Sequence, residues 1–280
     1  MNKKKNLLLI DTSYTSFYRY FATLRWISHA HNDLYKEHIN NVEYNWIENN
    51  IFCEKYEKLY IEGIIKLVGK KIYKDCNIIF CMDTPKEQIW RTELNGDYKS
   101  HRLDMSLKTN ILPAFYYTYN TIIPNLLENN KNMFKIRINK LEADDIIAVI
   151  CNNLKNIDQK IYIISGDADF YQLGRDNLYF INFKIKKPFQ LSTIEAELCL
   201  HKKVLLGDKS DNIKSIFPPR FSTKIKKKIL ESIDEFNIFI KTDKEIEKKY
   251  NDNLKLINFN YIPDIYIISI VNEFKKFNII

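Results

Sequence analysis

The chain has 280 residues, 45% hydrophobic and 28% charged, enough to bury a sizeable core and too apolar for a largely disordered chain. Lys and Arg outnumber Asp and Glu by 43 to 35, and the formal charge of +8 is compatible with a phosphate backbone as partner without requiring one. No apolar run is long enough to span a membrane, the apolar stretch before Asp11 is too short for a signal peptide, and five cysteines include no CxxC pair. A soluble intracellular protein, cytoplasmic or nuclear, with reduced thiols, no zinc site and no membrane partner is expected.

Residues 6–11 (NLLLID) form a short apolar run that stops at a carboxylate, as a buried strand does. Ile61, Ile64, Ile65, Leu67, Val68 and Ile72 then recur at helical spacing. Residues 77–83 (NIIFCMD) repeat the strand form, and residues 134–139 (FKIRIN) alternate as a shorter or edge strand. Ala143, Ile147, Ile150 and Leu154 mark a helix that starts in an acidic stretch, Glu142-Ala143-Asp144-Asp145. Residues 160–165 (KIYIIS) and 178–183 (LYFINF) are two further strands. Strands alternating with helices predict an α/β fold, a mostly parallel sheet flanked by helices. Ligands in such folds gather at the carboxyl ends of strands, where Asp11, Asp83, Asp167 and Asp169 all fall.

Five segments contribute acids: Asp11; Asp83; Glu142, Asp144 and Asp145; Asp167 and Asp169; Asp208 and Asp211. Clustered carboxylates raise one another's pKa unless cations neutralise them, and their hard oxygens suit Mg²⁺ or Mn²⁺ rather than zinc. Two such ions about 3.5–4 Å apart can clamp the attacking and leaving oxygens of a phosphodiester. Because each helical residue turns the chain by about 100°, Glu142 and Asp144 can serve one site only if Glu142 stands at the helix N-terminus, outside the regular turn. A single Asp after a strand is ordinarily a turn residue or a cap. Three acidic strand ends together with two further acidic clusters are hard to obtain by chance.

In their order, Leu8-Leu9-Ile10-Asp11, Met82-Asp83, Glu142-Ala143-Asp144-Asp145, Ile164-Ser165-Gly166-Asp167-Ala168-Asp169 and Gly207-Asp208-Lys209-Ser210-Asp211-Asn212 resemble the 5′-nuclease superfamily. That superfamily includes flap endonucleases, phage 5′-exonucleases and the 5′-nuclease domain of bacterial DNA polymerase I, and the likeness covers residues 6–235. It implies a PIN-like, Rossmann-like nuclease domain over 1–206 with a helical arch at 84–112. A helix–three-turn–helix DNA-binding region with C-terminal helices would follow over 207–280. The resemblance assigns Asp11, Asp83, Glu142, Asp144 and Asp145 to a first metal and Asp167, Asp169, Asp208 and Asp211 to a second. The implied cofactor is two Mg²⁺, which Mn²⁺ could replace.

A Tyr-Lys-x-x-Arg stretch, Tyr98 to Arg102, resembles the start of the family's arch, and implies that Lys99 and Arg102 grip the scissile phosphate. Arg91 would contact backbone phosphate or pair with an acid, and Tyr98 would stack on a base or pack the arch. Arg19, with Tyr14 and Tyr18, falls where the family has a helix near the substrate. Residues 213–222 (IKSIFPPRFS) lack the glycines of the family's phosphate-gripping, often potassium-binding turn, so K⁺ is in doubt. Lys224, Lys226 and Lys227 would then contact the duplex through their side chains, with Ser222 or Thr223 capping their helix.

The implied activity is a 5′-3′ exonuclease or flap endonuclease acting on DNA with a flap, nick, gap or free 5′ end. Replication, recombination or repair would be its setting, with proteins of those processes as partners. A PIN-type ribonuclease is the alternative within the same chemistry, ranked lower because such enzymes commonly lack the GDKSDN and Tyr-Lys-x-x-Arg elements. An inactive nuclease fold that only binds DNA would betray itself by missing carboxylates, and every acidic segment is present.

Overall fold

Leu7, Leu8, Leu9 and Ile10 of the first strand, β1 (Asn6–Asp11), have no solvent exposure on either face. Four such residues in a row are accommodated by a strand in mid-sheet, covered on both sides. The structure, a computed structural model, describes residues 5–85, 89–100 and 110–279. After β1 come α1 (Thr12–Ala30), α2 (Asn32–His38), α3 (Asn50–Val68), α4 (Lys70–Asp75) and β2 (Cys76–Cys81). Next are α5 (Trp90–Leu94), α6 (Leu112–Tyr117), a π-helical turn (Thr118–Ile122), α7 (Ile123–Asn129) and β3 (Met133–Ile136). The chain continues through α8 (Ala143–Asn153), β4 (Ile161–Ile164), a 3₁₀ turn (Ala168–Leu173), β5 (Leu178–Ile181) and α9 (Thr193–Leu206). A second 3₁₀ turn (Lys209–Asp211) leads to α10 (Thr223–Glu231), α11 (Ile233–Ile240), α12 (Lys244–Ile257) and α13 (Asp264–Lys275).

The strands pair in the order β3-β2-β1-β4-β5, every pair parallel, as the alternation of strands and helices predicts. From β1 the chain builds outward through β2 and β3 on one side, then returns to build β4 and β5 on the other. The crevice at the carboxyl ends of β1 and β4 is thus the topological switch point, where such sheets bind ligands.

One sheet face buries Leu8, Ile10 and Phe80 against Tyr20, Tyr56 and Ile64 of α1 and α3. The other buries Leu7, Leu9 and Ile79 against Ile146, Ile147 and Ile150 of α8 and Ile270 and Phe274 of α13. The C-terminal helix, which carries no motif, therefore packs on the same face as α8. A third apolar cluster joins Val204 and Leu205 of α9 to Ile213, Phe217, Ile229, Phe236 and Leu256, and it encloses Tyr98. The expected boundary at 206/207 runs through this cluster. Part of the expected arch, including Arg102, falls outside the described residues. Among the described residues no helix is long and apolar enough to cross a membrane.

Candidate active site

Because β2, β1 and β4 are neighbours, the acids at their carboxyl ends meet. Asp11 ends β1 and caps α1, accepting hydrogen bonds from the Tyr14 N–H (3.0 Å) and the Ser165 hydroxyl (2.8 Å). Asp83, just past β2, accepts from the Ala143 N–H at 2.7 Å and from the Ser13 hydroxyl. The Tyr119 hydroxyl stands 2.7 Å from that of Ser13, brought there by the π-helical turn, an irregularity often found at functional sites. Burial and then the charge of Asp83 push the Asp11 carboxyl up to about 7. Burial also raises Asp83, and burial with the charges of Asp167 and Asp11 raises Asp144. Bound cations bring down carboxyls that oppose one another in this way.

Glu142 is the N-cap of α8, in extended conformation (φ −89°, ψ 159°), which meets the condition for sharing a site with Asp144. The Lys99 ammonium lies 2.5 Å from Glu142 Oε1 and 3.8 Å from Asp211 Oδ2, and its charge also reaches Asp144. Lys99 takes a left-handed conformation (φ 55°) and donates its N–H to the Asp211 carbonyl at 3.0 Å. Asp145 differs from its neighbours. It is fully buried, accepts from the Trp90 indole N–H at 3.0 Å and pairs with Arg91 Nη2 at 2.7 Å.

Across the crevice, Asp169, Asp208 and Asp211 each offer an oxygen within 4.8 Å of the others. Lys203, from the last turn of α9, lies against Asp169, 2.7 Å from Asp208 and 3.9 Å from Asp167. Burial works against the Asp208 charge, but hydrogen bonds from Lys203 and Ser210 outweigh it and bring this carboxyl down to about 2. Nothing in the sequence reading singled out Lys203. The available signal is its place one helical turn before Gly207-Asp208, at a helix end where cations are favoured. Gly207 (φ 68°) makes the turn possible: a Cβ there would stand 2.4 Å from the Ile213 carbonyl oxygen. That carbonyl accepts the Asp208 N–H at 2.9 Å, and the Ile213 N–H returns the bond at 2.8 Å.

The remaining assignments divide. Of the two alternatives left for each, DNA contact or an inward role, Arg91 and Tyr98 show the inward one here, being 3% and 5% exposed. The Arg91 guanidinium binds Glu142, Asp145 and the Leu256 carbonyl, while the Tyr98 hydroxyl donates toward Glu142 (3.3 Å) and Asp211 (3.4 Å). Arg19 lies across the Phe183 ring at 4.2 Å, in space left by Gly63, where a Cβ would stand 2.3 Å from its Nη1. Lys224 and Lys227 are exposed on α10, Lys226 lies over the Phe217 ring at 4.9 Å, and Ser222 caps the helix. The acidic donors are all hard oxygens, no His or Cys joins them among the described residues, and two ammonium groups already stand between them. This donor set fits hard divalent cations.

A family model described as 5′-3′ exonuclease, N-terminal resolvase-like domain matches residues 6–202. "Ribonuclease H" of Enterobacteria phage T4 is 29% identical over 217 residues, 72% of this chain and 70% of that protein. A "5′-3′ exonuclease" of Mycoplasmopsis pulmonis is 27% identical over 222 residues, 77% of this chain but 63% of that protein. A bacteriophage T5 protein co-crystallized with metal ions superposes with a TM-score of 0.63 at 18% identity, covering 98% of this chain and 97% of that one. A T5 flap endonuclease in a pseudo-enzyme-product complex with DNA and metal ions superposes with a TM-score of 0.62 at 19% identity, covering 98% and 96%. With a family model spanning residues 6–202, most of its length, the chain belongs to the 5′-3′ exonuclease N-terminal, resolvase-like family.

Proposed function

We propose that this chain is a structure-specific 5′ nuclease that hydrolyses DNA phosphodiesters near a 5′ end, using Mg²⁺ held by its carboxylates. The observation that carries the reading is the gathering of acids from five separate segments at the switch point of one parallel sheet. Asp11, Asp83, Glu142 and Asp144 would hold one ion, and Asp167, Asp169, Asp208 and Asp211 the other. Such ions, when bound, supply Lewis-acid activation of water and neutralise charge on the leaving oxygen. The chain's own part is to fix the ligands. Ser13, Tyr119 and the Ala143 N–H orient Asp83, while Ser165 and the Tyr14 N–H orient Asp11.

Lys99, among these acids, would bind the scissile phosphate and stabilise its developing charge, and Arg102, outside the described residues, is given the same task. Lys203 supplies a third positive charge. Arg19 and the lysines of α10 would meet the DNA backbone further out, on flap, nick, gap or 5′-end substrates arising in replication, recombination or repair. A second reading, cleavage of RNA paired with DNA, is favoured by the name of the phage T4 relative.

Labelled 5′-flap DNA and a matched RNA–DNA hybrid, each digested with Mg²⁺ and with chelator, test both. We expect Mg²⁺-dependent release of short 5′ products from the flap, and at least about 100-fold slower cutting by Asp83→Ala and Asp167→Ala. Variants that cut like the parent would remove the mechanism, and preferential hydrolysis of the hybrid would favour the second reading.

A further inference from the structure

Arg91 is a buried cation that the nuclease reading leaves without a task. Its guanidinium is divided three ways: Nη1 donates to Glu142 Oε2 at 3.1 Å, Nη2 pairs with Asp145 Oδ1 at 2.7 Å, and Nε donates to the Leu256 carbonyl at 2.9 Å. The Trp90 ring lies 4.5 Å from the guanidinium carbon, and the Trp90 indole N–H binds the other oxygen of Asp145. Arg91 thus binds Glu142 Oε2, while Oε1 accepts from the Lys99 ammonium on the side of the acidic cluster. The third acceptor lies at the end of α12, far along the chain. The residues just after it are tied to the opposite half of the site: Gln172, in the 3₁₀ turn that Asp167 caps, donates to the Ile257 carbonyl at 3.0 Å and accepts the Phe259 N–H at 3.1 Å. Residues 256–259 therefore form a strap fastened to both ligand-bearing segments.

We propose that Arg91, anchored by this strap, is a positioning residue: its planar fork sets the Glu142 carboxylate toward the metal and holds Asp145 out of the ligand set. A lysine cannot reproduce the role, because one ammonium cannot reach three acceptors in a plane. The inference rests on the reading of Glu142 as a ligand. Partners of this kind, which orient a ligand without touching the metal, typically change metal affinity by about 10–100-fold when removed.

The test is Mn²⁺ binding to the full chain without DNA, by electron paramagnetic resonance, for Arg91→Met, Arg91→Lys and Glu142→Gln. Circular dichroism establishes that each variant is folded, and tryptophan emission, compared with that of a Trp26→Phe, Trp46→Phe background, reports the contact of Trp90 with the guanidinium. Alongside, binding of flap DNA is titrated with salt in chelator. Arg91→Met should bind Mn²⁺ at least about 10-fold more weakly with altered tryptophan emission, and leave flap binding in chelator and its salt slope unchanged. Arg91→Lys, which keeps the buried charge, should be several-fold weaker and carries the test if the methionine variant does not fold.

Parent-like Mn²⁺ binding by the folded arginine variants overturns the inference. So does a salt slope lowered by about one with Mn²⁺ affinity intact, the mark of a lost phosphate contact. If Glu142→Gln itself binds Mn²⁺ like the parent, the ligand reading fails; if it weakens binding and the arginine variants do not, the positioning role alone is lost.

Discussion

Asp11 holds its proton up to about pH 7 because it is buried beside Asp83 and Asp167, against an ordinary value of 3.8. A carboxyl raised on folding stabilises the native state in full below about pH 4, and that contribution is lost as the pH climbs through about 7. Asp83 and Asp144 shift in the same direction, whereas Asp208, lowered to about 2, titrates below this window and has the opposite sign. In chelator, the protein is expected to melt at a lower temperature at pH 8 than at pH 5.5. Asp11→Asn keeps an acceptor for the Tyr14 N–H and removes the repulsion. It should raise the melting point at pH 8, by about 2–4 °C for each kcal/mol relieved, and change it little at pH 4.5. Scanning calorimetry at the three pH values checks this, and an equal response throughout would discard the electrostatic cause. The same substitution removes a proposed ligand, so stability and cutting should move in opposite directions.

At the scale of elements, the turn from α9 into the Asp208–Asp211 segment depends on one residue. Gly207→Ala would place a Cβ against backbone rather than a movable side-chain tip, at φ 68° and ψ −174°, a region essentially reserved for glycine that alone costs about 1–3 kcal/mol. We expect a urea midpoint lowered accordingly and cleavage reduced by at least about 10-fold, since Asp208 and Asp211 would shift together. Four of the parallel strands were legible as apolar runs, three of which stop at or near an acid, and β3 by its alternation. The acidic start of α8 stood out in the sequence, but nothing there distinguishes Asp144 from Asp145. Asp144 and Asp145 are adjacent and alike, and only the buried Arg91 and Trp90 on another element separate them. Whether Tyr98 stacks or packs was not legible for a similar reason: the cluster that covers it comes from residues more than a hundred positions later. Ser13 and Tyr119 carried no local signal, because their roles arise from contacts between segments distant in sequence, whereas the only cue for Lys203 is its place one helical turn before Gly207-Asp208.

At the scale of the whole molecule, α13 completes the sheet face beneath α8, so the C-terminal segment should unfold with the catalytic sheet rather than before it. Phe274→Ala is expected to cost about 3–5 kcal/mol. Far-UV circular dichroism and tryptophan emission should lose their native signals in one coincident urea transition, and two separated transitions would show that the C-terminal helix is an independent unit. The central place of β1 has a further consequence. Its neighbours are β2, whose partner to Asn6 is Cys76, and β4, whose partner to Leu7 is Ile161, and the hydroxyl that orients Asp11 belongs to Ser165. β1 must wait for β4, about 150 residues later, before both its edges are covered, which slows folding and leaves Leu7–Ile10 exposed to aggregation in the meantime.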